Sequence, residues 1–116
     1  MLKTLKLLQD DFQSDVVKSF DILDFKSGDQ FYYLKIKAIL ADGSSLHIRE
    51  FFSSDDALYS YHWQDEDGSL IIRWDNSPHH PKLGTYPHHK HAPELAESEE
   101  MCLEEVLKEI RERLRK

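Results

Sequence analysis

The stretch Phe31-Tyr32-Tyr33-Leu34-Lys35-Ile36-Lys37-Ala38-Ile39-Leu40-Ala41-Asp42-Gly43-Ser44-Ser45-Leu46-His47-Ile48-Arg49-Glu50-Phe51-Phe52 decides the fold. Tyr32, Leu34, Ile36, Ala38 and Leu40 fall at every second position, with Lys35 and Lys37 between them. A period of two is the mark of a strand with one buried face. Asp42-Gly43 is a strong turn signal, and Ser45 to Phe52 returns as the next strand. A three-residue loop with a left-handed glycine sets Leu40 opposite Leu46 and Ala38 opposite Ile48. A two-residue loop would set Leu40 opposite Ser45 and mix the faces, so the apolar pattern selects the odd loop.

The same pattern extends in both directions. Val16 to Phe25 reads as a preceding strand. Leu58–Gln64 and Ser69–Asp75 form a second hairpin around Asp65-Glu66-Asp67-Gly68. An even loop there sets Tyr61 opposite Trp74, Trp63 opposite Ile72 and His62 opposite Arg73, and keeps the large aromatics together. An odd loop would instead bring Tyr61 to Arg73. Successive strands joined by short turns make an antiparallel meander. Leu5, Leu8 and Phe12 predict a short helix over 4–13. Ser98 is a candidate N-cap for a longer helix over 98–115, with Leu103, Val106, Leu107, Ile110 and Leu114 as its apolar stripe. Acidic residues open that helix and basic residues close it, as the helix dipole favours. The expected architecture is one α+β domain spanning 1–116. It holds a curved five-stranded antiparallel sheet, a short N-terminal helix, a histidine-rich loop over 76–96 and a longer C-terminal helix.

Composition narrows the function classes. The formal charge is −7 and the pI about 5.4, which argues against broad binding to nucleic acid through a basic surface. Seven histidines are counted as neutral in that figure, so a local cationic site remains compatible with it. The single cysteine, Cys102, excludes an internal disulfide and a cysteine-based zinc site. No run approaches transmembrane length, and the N-terminus is a poor secretion signal. A soluble chain in the cytoplasm, with no membrane association, is expected.

The chemistry concentrates between Tyr59 and His91, which holds six of the seven histidines and both tryptophans. Histidine titrates nearest neutrality and its neutral ring binds metals. Adjacent histidines on an extended chain point to opposite sides, so neither His79-His80 nor His88-His89 is a chelate by itself. His89 and His91 would share a face if that stretch is extended, with a third ligand from His80 or His62. No helical metal-site spacing is present, and the expectation is that no metal or other cofactor is required. His62 with Arg73 on one sheet face could bind a phosphate and move a proton beside it. Arg49, outward on the third strand with His47, would extend this patch. The competing reading is a set of exposed cross-strand pairs with Glu50 or Asp75. Asp75 would orient a histidine or end the strand with Asn76. Trp63 and Trp74 read as core.

The strings Tyr-Ser-Tyr-His-Trp-Gln at 59–64, Arg-Trp-Asp-Asn-x-Pro-His-His at 73–80 and Pro-His-His-Lys-His at 87–91 resemble the TumE-like toxins of prokaryotic toxin–antitoxin pairs. The Asp42-Gly43 hairpin followed by Ile48-Arg49-Glu50 fits as well. The resemblance covers nearly the whole chain. It implies a small toxin neutralised by an antitoxin encoded nearby, often one with a helix-turn-helix domain. It carries His62, Arg73, Asp75, His79, His80, His88, His89 and His91 as signature residues. By analogy with other small toxins, the expected activity is a metal-independent endoribonuclease. His62, Arg73, His80, His88, His89 and His91 are its candidate catalytic residues. Arg49, Tyr61, Asp75, His79 and Lys90 are candidate substrate contacts. RNA is then a partner, and a second copy of the chain a further one. Two other classes stay open: a metal-dependent hydrolase or nucleotide-modifying enzyme using the histidines, and a non-enzymatic module that sequesters a cellular target.

Overall fold

In a computed structural model, residue 6 and residues 16–76, 87–92, 94–98 and 100–114 are described. The strands are β1 (Val17–Gly28), β2 (Phe31–Leu40), β3 (Ser45–Ser53), β4 (Ala57–Gln64), β5 (Leu70–Asp75), β6 (His89–His91) and β7 (Leu95–Glu97), followed by helix α1 (Leu103–Leu114). Among the described residues all neighbours pair antiparallel in sequence order, which makes the sheet a seven-stranded meander. The sequence predicts five strands. The two additional ones lie in the stretch read as a histidine-rich loop, where three-residue strands are too short to show alternation. The short helix expected over 4–13 falls outside the described residues apart from Lys6.

The first hairpin has the expected odd loop. Gly43 N–H donates to Leu40 O at 3.0 Å, Leu40 N–H to Ser44 O at 2.8 Å, and Gly43 sits at φ 89°. Its register differs from the expected one by two residues: Ala38 faces Leu46, and Ile36 faces Ile48. An even slip leaves every side chain on its expected face, so the apolar pattern alone could not distinguish the two registers.

The second hairpin has the expected pairing by an unexpected route. Tyr61 faces Trp74, His62 faces Arg73 and Trp63 faces Ile72. The turn itself is odd, however, with Gly68 N–H bonded to Asp65 O, Asp65 N–H to Ser69 O, and φ 91° at Gly68. Gln64 faces Leu70, so Ile71 is the additional residue of a bulge that restores the even register.

The core lies on one face of the sheet. Leu34, Ile36, Ala38, Leu40, Leu46, Ile48, Tyr61, Trp63, Ile72 and Trp74 supply it. Helix α1 closes it with Leu103, Val106, Leu107 and Ile110. Each such aliphatic side chain contributes about 1.5–3 kcal/mol on burial. The helix begins later than Ser98, because the Met101 N–H is held by the Tyr59 hydroxyl at 3.2 Å. Cys102 takes the N-cap place: its carbonyl accepts from Val106 N–H at 3.1 Å and its thiol contacts Glu105 Oε1 at 3.4 Å. No described helix is long and apolar enough to cross a membrane.

Candidate functional site

With the core on one face, strand alternation places the chemistry on the other. The ladders set Lys37 beside His47, His47 beside His62, His62 beside Arg73 and Arg73 beside His91, one continuous row across five strands. Strands lie about 4.8 Å apart, so the row from His47 to His91 covers roughly 14 Å. A parallel row two residues along runs Lys35, Arg49, Ser60, Asp75, His89 and Glu97. A third runs Tyr33, Phe51 and Leu58. From β2 to β5 this face carries four permanent cations, Lys35, Lys37, Arg49 and Arg73, against one acid, Asp75. A chain of net charge −7 therefore gathers its cations on the middle strands of this face, with Asp21 and Asp24 of β1 beside Lys37 and Lys35 at one edge and Glu97 of β7 at the other.

Two imidazoles sit at the centre of that surface. His47 and His62 meet edge to face with ring centroids 6.0 Å apart. Partial burial lowers both below the ordinary histidine value of 6.5. At His47 the positive charges of His62, Lys37 and Lys35 add to that; at His62 the Arg73 charge does, opposed by a bond to Gln64. Both rings are accordingly neutral at pH 7.

Beside them lies a buried charged group. Asp75 is 3% exposed and His89 2%. Asp75 Oδ1 contacts His89 Nε2 at 2.7 Å, and its Oδ2 accepts from Arg73 Nε at 3.2 Å. His89 Nδ1 faces the Pro87 carbonyl at 3.1 Å. The His91 ring stands edge-on to His89 at 5.3 Å. Asp75 thus orients both an arginine and a histidine, the functional alternative of the two expected for it. Asn76 ends the strand, accepting from Tyr59 N–H at 2.9 Å and donating to Ala57 O at 2.6 Å.

The core face holds a second polar group, around a cavity of about 470 Å³. His88 Nδ1 meets the Tyr59 hydroxyl at 2.9 Å and His88 Nε2 lies 3.8 Å from Glu100. Burial pushes the Tyr59 hydroxyl up to about 12, with nearby Glu100, Asp75 and Glu105 adding to the shift and the Met101 N–H opposing it. Glu50, 3% exposed, accepts from Tyr61 at 2.6 Å and from Tyr32 at 3.5 Å. Burial raises both phenols, and the Glu50 charge raises them further. Glu50 is therefore a core acceptor, not the expected surface partner of an arginine.

The candidates accordingly divide. His62, Arg73, Arg49, Asp75, His89 and His91 share the outward face. His88 lies on the core side, one residue out of phase with His89. Tyr61 is a buried core residue. Lys90 pairs with Trp74 and lines a groove beside α1 with Glu97, Glu105 and Glu109. His79 and His80 lie outside the described residues. Two features of the surface were not read from the sequence. His47, expected on the outward face with Arg49, is a direct neighbour of His62, and Tyr33 and Phe51 form the aromatic row. The alternation through Tyr33, Lys35 and Lys37 carried the second signal.

A small antiparallel sheet closed on one face by a helix, with histidines and cations on the middle strands of the other, defines a small α+β protein. The chain belongs to the toxin TumE family, whose model matches residues 4–114. Membership places it among the toxins of toxin–antitoxin systems and implies an antitoxin as partner. No curated protein and no solved structure gives a match.

Proposed function

We propose that this chain is an endoribonuclease toxin whose outward sheet face binds single-stranded RNA and cleaves it by histidine acid–base chemistry. The observation that carries the reading is the continuous row Lys37, His47, His62, Arg73 and His91 on the same face as the aromatic row Tyr33 and Phe51, with Lys35 and Arg49 between them. Cations that track a backbone, next to aromatic rings on which bases stack, form the recurring surface for single strands. Exposed aromatics on an open sheet serve the same purpose in other RNA-binding domains.

The His47–His62 pair supplies a chemical argument. Each ring's charge disfavours the other's, so a bound phosphodiester that recruits one proton leaves one imidazole and one imidazolium. The imidazole takes the 2′-hydroxyl proton as that oxygen attacks phosphorus. The imidazolium gives its proton to the departing 5′-oxygen, and a 2′,3′-cyclic phosphate results. Arg73, held by Asp75, stabilises the charge gathering on the non-bridging oxygens. An antitoxin lying on the same face would neutralise the toxin by excluding RNA.

The test is growth arrest on induction of wild type, His62→Ala and Arg73→Ala, each with and without the neighbouring gene. Relief by both substitutions in folded protein supports the reading. Continued arrest by folded, equally expressed variants would favour a toxin that sequesters its target instead.

A further inference from the structure

We propose that Asp75, His89 and His91 form a binding site for a divalent transition cation of the zinc class, clipping strand β6 to strand β5. The inference goes beyond the ribonuclease reading, which routes no step through a metal. One potential ligand atom from each of the three residues lies within 4.8 Å of the others. Asp75 ends β5, while His89 and His91 are alternate residues of β6, paired across the ladder as Asp75 with His89 and Arg73 with His91. Alternate residues on a strand share a face, so an i, i+2 histidine pair with a facing carboxylate from the next strand converges on one point.

The hydrogen bonding around His89 points the same way. Nδ1 faces a carbonyl and Nε2 faces a carboxylate oxygen at 2.7 Å. Both partners are acceptors, and a neutral imidazole has a single N–H, so the ring can donate to only one of them. Protonation of Nδ1 toward the Pro87 carbonyl leaves the Nε2 lone pair for a metal. This is the outer arrangement usual for metal-bound histidine, where a carbonyl fixes tautomer and ring orientation. The Arg73 contact holds the second carboxylate oxygen in the same manner. Two imidazoles and one carboxylate suit zinc, which binds such ligands at about 2.0–2.2 Å and takes a fourth from water or a substrate. Asp75 Oδ1 and His89 Nε2, 2.7 Å apart without an ion, would separate by several tenths of an ångström to admit one, while the other ligand atoms lie within 4.8 Å. The location suggests the role. Strand β6 is three residues long, a length at which backbone pairing alone holds little.

The experiment uses full-length protein purified without a histidine tag and dialysed against zinc at micromolar concentration, then analysed for bound metal. Cobalt substitution serves as a spectroscopic probe of coordination. The expected result is one equivalent of zinc, a melting temperature that rises with zinc, and cobalt d–d bands of tetrahedral intensity. His91→Ala, a half-buried position on a short strand, should fold and bind more than about tenfold more weakly, since loss of even an outer partner costs 10- to 100-fold. His89→Ala should behave likewise if it folds. His88→Ala, on the opposite face, should bind as wild type. Absence of bound zinc and of cobalt bands would overturn the proposal and leave His89 as a hydrogen-bonded partner of Asp75. Binding unchanged in His91→Ala, or abolished by His88→Ala alone, would also overturn it.

Discussion

Removal of helix α1 should abolish cooperative folding. Leu103, Val106, Leu107 and Ile110 are each no more than 3% exposed and pack on the sheet's core face. At about 1.5–3 kcal/mol per side chain, the four together contribute roughly 6–12 kcal/mol. The compactness of real unfolded chains makes that an upper figure. A domain of this size has about 5–15 kcal/mol in total, so truncation after Met101 removes most or all of it and exposes Tyr61 and Trp74. The assay is urea denaturation followed by tryptophan fluorescence, with full-length protein, the truncation and Ile110→Ala side by side. The truncation should show no cooperative transition. Ile110→Ala should retain one, lowered by about 2–5 kcal/mol. A truncated chain that melts cooperatively at an unchanged midpoint would show that α1 does not close the core and serves a partner instead.

Other consequences follow from the outward face. Stability should fall as pH drops below 6.5, where the unfolded chain takes up protons that His47 and His62 refuse in the folded state because their values are lowered. His47→Asn with His62→Gln should flatten that slope in urea melts at stepped pH, and an unchanged slope would contradict the assigned shifts. RNA affinity measured by fluorescence anisotropy should decline with salt. Each backbone cation contributes a log–log slope of about 0.7, so Lys35→Ala should lower the slope by roughly that amount. Tyr33→Ala and Phe51→Ala should each weaken binding by about 1–3 kcal/mol per lost stacked base with the slope unchanged. Equal affinity in both would remove the aromatic row from the interface. His88→Ala should leave RNA cleavage intact and cost stability on the order of 1 kcal/mol through its Tyr59 hydrogen bond; a loss of cleavage would return His88 to the site.

What could be read from the sequence was what period two determines. Alternation through Leu34, Ile36 and Ala38 assigns faces correctly even where the pairing is displaced by two residues, because an even displacement keeps the faces. The His62–Arg73 pairing was equally readable, since only that register keeps Tyr61 and Trp63 with Trp74 and Ile72. The bulge at Ile71 was not, because an odd turn and an added residue cancel in the pattern. Strands β6 and β7 were missed because three residues carry no period. Their histidines could be recognised as chemically unusual, but not divided between faces. Whether His88 or His89 joins Arg73 depends on the phase at which His89 enters the ladder opposite Asp75. Glu50 looked like a surface residue by type. Tertiary context made it a core acceptor for two phenols.

The most direct test of the central claim is cleavage of a single-stranded RNA by purified wild-type protein and by folded His62→Ala, with the new ends analysed chemically. The account predicts that wild type leaves 2′,3′-cyclic phosphate and 5′-hydroxyl ends, and that His62→Ala cleaves about 100- to 10,000-fold more slowly, the range for a lost acid–base group. Wild-type protein that arrests growth yet leaves RNA intact, or a His62→Ala variant that cleaves at the wild-type rate, would contradict it.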